Sequence, residues 1–505
     1  MSMDALRICS GLLSLALPLC GAYGQGLDWH FMKGASRHGD IVTVVVPEAR
    51  EDASPGTANA YAFPDLSPFA GTGFTVTVRA RAEHLSKPAA PHLGFKFMVH
   101  YRDPDTGADA WPGATVEDLD FDWREVSVSC PDYPGSSCPA KLVLGLEEAS
   151  GKVEFDLSTL RIEQSAPLWP PADPTLRCRY SDAVRDAPVR RGVMSPERPM
   201  TEDDMATLRD WGATLIRYQM VRDWFLPDAN QDLDEYDRWL DGRLDHFERF
   251  VLPAAERLGM KAVLDLHVVP GGRERGGEMH MFHDARYADH FIALWRRIAT
   301  RFRGRPGLYG YDLVNEPVQT REALPGCDYW SLQRRAAEAV REVDPDTPVI
   351  IEANRWDAPS AFRYLAPVDL PNVLYQVHMY VPHGYTHQNV AAGKPRPPVA
   401  YPDPARGLDR DFLRRALAPV REFERRHGAK IYVGEFSAVA WAPGADAYLR
   451  DCIDLFAEYG WDWTYHAFRE WNGGSVEHEG PDARHLAPSP DNPRMRALKD
   501  GLSRP

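Results

Sequence analysis

The chain reads as a (β/α)₈ barrel preceded by an all-β sandwich. Three observations predict it. Two apolar stretches, in YGYDLVNEP (309–317) and KIYVGEFSA (430–438), each end on a glutamate, Glu316 and Glu435. From about residue 188, β-prone stretches alternate with amphipathic ones, the mark of a parallel sheet with covering helices. Before residue 165 the chain is a series of short strands separated by turn residues, as in a sandwich.

Taken in order, residues 1–24 read as an export signal. Arg7 gives a positive start, weakened by Asp4, Ile8 to Leu19 is apolar, and Ala22-Tyr23-Gly24 is a small-x-small cleavage site. A lipoprotein reading at Cys20 is weaker, because bulky Leu19 precedes it. The expected location is secreted or periplasmic. Of seven cysteines, Cys9 and Cys20 leave with the signal. Cys130 and Cys138 flank a Pro/Gly/Ser turn and are the expected disulfide pair; the odd count leaves at least one thiol.

Residues 27–165 carry the sandwich strands: 41–46, 74–81, 93–101, 125–129, 141–146 and 153–162. Alternation in 74–81 and 153–162 suits a sheet with one wet face. The stretch 166–187 begins with APLWPPADPT and reads as a stiff proline-rich linker.

Residues 188–505 carry eight candidate strands: 191–194, 213–219, 261–267, 308–314, 348–353, 373–380, 430–435 and 462–468. Amphipathic helices are expected at 285–303 and 329–343, with Thr201 (followed by Asp204) and Asp284 as N-caps. Roughly 310 residues suit a barrel of about 250 with insertions.

The whole chain of 505 residues has a net charge of −15, 44% hydrophobic and 26% charged residues. That balance disfavours nucleic acid or an anionic membrane as partner. Beyond the signal, no apolar run is long enough to span a membrane. Fourteen Trp and twenty Tyr suit flat sugar faces or core filling. No zinc-type cysteine spacing is visible. No metal or cofactor is expected, and the chain is expected to act as a monomer.

A barrel places its chemistry at the C-terminal ends of its strands. Those ends carry Arg217, His267, Asn315-Glu316, Trp356 just past strand five, His378 and Tyr380, Glu435, and the Trp463–Trp471 segment. With LIRYQM (215–220), DLHVVPGG (265–272), DLVNEP (312–317), QVHMY (376–380) and YVGEF (432–436) in this order, residues 188–500 resemble glycoside hydrolase family 5. The resemblance implies Glu316 as acid/base and Glu435 as nucleophile. It implies Asn315, Arg217, His267, His378 and Tyr380 as the supporting shell. The family's aromatic sugar platform falls on Trp463 or Trp471, while His466 stands where many members carry an aromatic.

The chemistry is consistent with the residues themselves. Retention at a sugar carbon needs two carboxyls about 5–5.5 Å apart, whereas inversion leaves about 6.5–9.5 Å. Arg217 and Tyr380 would hold Glu435 ionised, and Asn315 would reach the sugar 2-hydroxyl. Each supporting residue also has a structural alternative. Arg217 would then be a core ion pair, His267 a satisfied structural histidine, and Tyr380, Trp224 and Trp356 core. Tyr385 and His387, after strand six, are substrate contacts or packing. Glu352 is an extra carboxylate at strand five, a subsite or structural acid.

The sandwich resembles jelly-roll carbohydrate-binding modules over 123–162, with Trp111, Trp123 and Tyr101 as a candidate platform. The alternative is a purely structural companion of the barrel.

The leading reading is a secreted retaining β-glycosidase acting on an oligo- or polysaccharide. β-1,4-Glucan is favoured by the balance of substrates within the family, ahead of a β-mannanase or exo-acting β-glucosidase. A metal-dependent hydrolase using Asp265, His267 and His378 would leave the Asn-Glu-Pro stretch unexplained. An inactive sugar-binding protein would not need both glutamates.

Overall fold

The computed structural model describes residues 26–48, 55–88, 93–104, 109–114, 116, 118–165, 168–224, 226–274, 276–390 and 397–504. The segment read as an export signal lies outside these. The chain divides into two compact units, the first ending at Ser165.

The first unit is a pair of five-stranded antiparallel sheets. One has the order His30–Phe31, Ala58–Ala62, Lys141–Glu147, Gly94–Arg102, Asp109–Ala110. The other has the order Ala35–His38, Ile41–Val46, Gly151–Gln164, Thr72–Glu83, Phe121–Tyr133. Period-two patterning sets the faces: Val42, Val44 and Val46 point into the core and join Phe74, Phe97, Leu144 and Phe155 from both sheets. Strands 30–31, 35–38 and 58–62 escape the sequence reading because they are short and carry few β-branched residues.

Two expectations fail here. No disulfide joins Cys130 to Cys138. Cys130 shares the buried face of its strand with Val126 and Val128, and the strand runs on to Tyr133 before turning. Cys138 sits half-buried on the turn, its Sγ 3.7 Å from Ser136 Oγ. The three aromatic residues do not share a platform either. Tyr101 is buried against Tyr133, with ring centroids 5.0 Å apart. Trp123 lies on the other sheet, under Arg81. Trp111 stands alone of the three as an exposed ring, 4.0 Å from His100.

The second unit contains a closed parallel barrel. Its strands are β1 (Arg191–Met194), β2 (Leu215–Gln219), β3 (Lys261–Asp265), β4 (Leu308–Asp312), β5 (Val349–Glu352), β6 (Val373–Met379), β7 (Lys430–Phe436) and β8 (Asp462–Tyr465). All eight lie where the sequence pattern puts them. Leu215, Val263, Ile350, Leu374 and Tyr432 plug the lumen, so the barrel is a packed core rather than a pore. The helices carry the expected caps. Thr201 and Asp204 form a reciprocal capping box on Glu202–Trp211, and Asp284 accepts from the Arg286 backbone N–H at the start of Ala285–Phe302.

The segment before β1 packs along the barrel. Trp169 is buried and donates to the Tyr364 carbonyl at 3.1 Å, and the Cys178 N–H donates to the His427 carbonyl at 2.8 Å. Among the described residues no helix is long and apolar enough to cross a membrane.

Candidate active site

Arg217 is the hub. It points inward from β2 and is 0% exposed. A guanidinium removed from water must be surrounded by acceptors, and this one is. Its Nε donates to Asp312 Oδ2 at 2.9 Å, and Nη1 to Glu435 Oε1 at 2.7 Å. Nη2 donates to Asn315 Oδ1 and Glu352 Oε1, both at 2.9 Å, and lies 3.3 Å from Asp265 Oδ1. Behind it, His267 Nδ1 is 2.9 Å from Asp265 Oδ2, and His267 Nε2 is 3.2 Å from Asn315 Nδ2. With Asp265 accepting, Nδ1 carries the hydrogen and Nε2 accepts from the amide. Asn315 is fully buried and ties Arg217 to His267.

Glu435 ends β7. The β6–β7 register shifts between Val377 and His378, so Val377 pairs with Val433 but His378 with Glu435. The extra residue is Gly434. A Cβ there would come within 2.3 Å of the Gln376 side chain, so only glycine lets the bulge form and turn Glu435 toward the lumen mouth. Glu435 Oε1 accepts from Arg217, and Oε2 accepts from the Tyr380 hydroxyl at 2.8 Å. Burial would push this carboxyl up; His378, His466 and Arg217 outweigh it and hold it well below the usual range.

Glu316 lies past the end of β4 with φ at +49°, in the left-handed region. Such backbone is disfavoured for a side-chain-bearing residue and persists where its surroundings enforce it. Two groups do so here. Its N–H donates to Glu352 Oε2 at 2.6 Å, and its carbonyl accepts from Arg273 Nη2 at 2.9 Å. Arg273 also donates to the Asn315 carbonyl at 2.7 Å and lies over both Trp224 and Trp356. The Glu316 Oε1 atom is 2.8 Å from His378 Nδ1. His378 Nε2 contacts the Gln376 amide, which in turn donates to Glu352. Beneath Glu316, then, lies a bed of acids. Burial pushes Glu352 and Asp357 well up and Asp312 up to about 6.

One carboxylate oxygen each of Glu316 and Glu435 lies within 4.8 Å of the other, with a His378 nitrogen equally close. Glu352, Asp357 and His378 form a second such group. In the first group the donors are already taken up by each other, Arg217 and Tyr380. Asp265 and His267 satisfy one another rather than opening toward His378.

A cavity of about 880 Å³ opens over the two glutamates. Its lining includes Trp224, Trp356 and Trp471 and the polar residues Gln219, His466 and Glu470. Trp356 is 42% exposed at +61° φ, within a run of three left-handed residues, Arg355 to Asp357. Trp471 stacks against His387 with rings 13° from parallel. Trp463 is 0% exposed and packs on Phe436, so of the two strand-eight tryptophans only Trp471 faces the cavity. Tyr385 is core, while His387 lines the cavity. Glu352 is a buried structural acid. Sequence reasoning missed Arg273, Gln376 and Glu470 as members of the site. Arg273 is the one with a local signal, a basic residue in the Gly-rich turn after β3.

A family described as "Cellulase (glycosyl hydrolase family 5)" matches residues 184–472. Endoglucanase C of Acetivibrio thermocellus is 26% identical over 298 residues, covering 53% of this chain and 84% of its own length. Cellodextrinase A of Ruminococcus flavefaciens is 23% identical over 284 residues, covering 54% of this chain and 79% of its own. Among solved structures, endoglucanase Cel5A of Thermotoga maritima aligns at 20% identity with a TM-score of 0.47, over 62% of this chain and 96% of its own.

Proposed function

The chain belongs to the cellulases of glycosyl hydrolase family 5, and from that premise we propose that it hydrolyses a β-1,4-glucan by double displacement, with Glu435 as nucleophile and Glu316 as acid/base. The observation that carries this is the pair itself. One oxygen of each carboxyl lies within 4.8 Å of the other, a close approach that supports retention over inversion.

In the first step Glu316 gives a proton to the leaving oxygen while Glu435 attacks the anomeric carbon, and a glycosyl ester forms on Glu435. In the second, Glu316 takes a proton from water, which displaces Glu435 and restores the configuration. Each part of the shell has a task. Arg217 and Tyr380 occupy one oxygen of Glu435 each and keep it charged and aimed. His378 and Glu352 fix the Glu316 side chain and backbone. Trp224, Trp356 and Trp471 offer rings to sugar faces. The similarity to endoglucanase C and cellodextrinase A supports a β-glucan substrate. Export through residues 1–24 is part of the same proposal, since polymeric glucan lies outside the cell.

The test separates the two glutamates. Glu435→Ala stops the first step on every substrate. Glu316→Ala still glycosylates on an activated aryl glycoside, where the leaving group barely needs a proton, but fails on glucan. Azide needs no base, so it restores Glu316→Ala turnover as the β-glycosyl azide, whereas Glu435→Ala gives the α-azide. Reversed anomers by NMR reverse the roles. Wild-type activity in both variants removes them from catalysis.

A further inference from the structure

We infer that His466, at the end of β8, is a doubly protonated imidazolium which, paired with Glu470, acts as a positioning residue for the charged state of Glu435. The inference rests on the proposed role of Glu435 and goes beyond it. It concerns the position where this chain departs from the family's aromatic.

The argument is a count of hydrogens. The Tyr380 hydroxyl has one, and two partners: Glu435 Oε2 at 2.8 Å and His466 Nδ1 at 2.8 Å. An ionised carboxylate only accepts, so the hydroxyl donates to Glu435. The phenol oxygen is then left as an acceptor, and His466 Nδ1 must carry the hydrogen between them. On the far side of the ring, His466 Nε2 lies 3.3 Å from Glu470 Oε1. Glu470 accepts through Oε2 from Gln219 Nε2 at 2.8 Å. Burial would push its carboxyl up, but His466 and Gln219 hold it below the ordinary range, so it is ionised and Oε1 accepts as well. Gln219 is itself anchored, donating to the Ser195 carbonyl at 2.5 Å. Nε2 must therefore donate too. With both carboxylates ionised, the ring holds two hydrogens and a positive charge.

The surroundings agree. The ring is largely buried, at 15% side-chain exposure, with Glu435 Oε2 3.9 Å away. The charged or titratable groups facing it are Glu435, Glu470, Glu316, Tyr380 and His387. Burial pushes His466 down, but Glu470 and Glu435 override it and carry it up to about 9. Burial holds His387 down at about 3, so it adds no competing charge near neutrality. A line of groups thus runs Gln219, Glu470, His466, Tyr380, Glu435, from β2 through the β8 loop to β7.

This line matters most in the second step. While the sugar is esterified to Glu435, the carboxylate charge is absent. Displacement by water regenerates it, directly against the Tyr380 hydroxyl and 3.9 Å from the His466 position. A cation fixed there by Glu470 makes Glu435 a better leaving group. Without it, the ester forms but leaves slowly.

The first measurement is independent of catalysis. ¹⁵N NMR of the full chain, with His466 assigned by its loss in His466→Gln, is expected to show both ring nitrogens protonated at pH 7.5 and a titration near 9. Glu470→Gln is expected to move that titration down toward the ordinary histidine range. The second measurement is kinetic. On an activated aryl β-glucoside, His466→Gln is expected to lose roughly ten- to a hundredfold in kcat. KM should fall with it and a pre-steady-state burst should appear, because the ester accumulates. His466→Phe, which restores an aromatic ring without the charge, should do no better. A neutral His466 at pH 7.5, a titration unmoved by Glu470→Gln, or wild-type kcat in His466→Phe overturns the inference. A 2-deoxy-2-fluoro glucoside separates the two levels. If its label is on Glu435 and His466 is neutral, this inference alone fails. If its label is on another carboxyl, the role of Glu435 fails, and the role given to His466 falls with it.

Discussion

The two glutamates at the barrel mouth are the same residue type, less than 5 Å apart at their nearest oxygens, yet they sit in opposite surroundings. Glu435 is ringed by donors and cations: Arg217, Tyr380 and His466. Glu316 rests over acids, with Glu352 holding its backbone and Asp357 and Asp312 behind. The Glu435 side keeps a charge and the Glu316 side fixes a geometry, through a strained φ and two backbone hydrogen bonds, the contrast that the proposed nucleophile and acid/base roles call for. Chemical role is thus assigned by neighbours rather than by residue type.

The strongest way to break the contrast is to remove the hub both sides share. Arg217→Met leaves Asp265, Asp312, Glu352 and Glu435 buried without their common cation. The expected loss is about 3–5 kcal/mol in denaturant unfolding, with activity abolished.

Next in size is a pH effect confined to the nucleophile's side. His466 is raised in the folded chain to about 9 from an ordinary 6.5. A raised value means the folded state binds the proton more tightly, so the stabilisation is complete below pH 6.5 and is lost as pH rises through 9. Its size is on the order of 3 kcal/mol. Unfolding measured between pH 6 and 10 is expected to show this decline in the wild type and a flatter curve in His466→Gln. Equal slopes would remove His466 from the nucleophile's surroundings.

Two smaller changes sharpen the comparison by substrate. Tyr380→Phe removes one hydrogen bond to a charged oxygen, worth about 1.5–3 kcal/mol, so kcat should drop by roughly ten- to a hundredfold on natural and activated substrates alike. Glu352→Ala frees the Glu316 N–H and should cost roughly tenfold on glucan and distinctly less on an aryl glycoside with a good leaving group. Parallel kinetics on both substrates check this. If Glu352→Ala slows both equally, Glu352 serves the fold and not the acid.

The sequence made the barrel and the core of its site legible because both depend on local signals. Buried parallel strands are short apolar runs, and the chemistry sits where each run stops. Arg217, Asn315, Glu316, His378, Tyr380 and Glu435 could therefore be named from strand ends. What escaped depends on register across the sheet. Gln376 enters the site because a bulge at Gly434 makes room for it. Glu470 enters because a loop folds back onto Gln219, 251 positions away. Arg273 enters by reaching under Glu316 from 43 positions away. Of these only Gln376 leaves a periodic trace, two residues before His378 on the same strand. The aromatic platform expected on the sandwich fails for a related reason: Tyr101 sits on an inward face of its strand, whereas Trp111 lies just past the short strand Asp109–Ala110 and stays exposed.

The fan of contacts from Arg217 also governs how the barrel can be assembled. Its partners lie 95, 135 and 218 positions further along the chain, on or after β4, β5 and β7. A chain folded only as far as β6 would hold a guanidinium among acids but no Glu435, with its lumen open to water. The charge of Arg217 is fully partnered only once β7 has joined the barrel. Contacts this distant make the search slow, and they also penalise any partly wound barrel that mispairs its strands. One guanidinium thus links the carboxylate proposed as nucleophile to three other strands of the barrel.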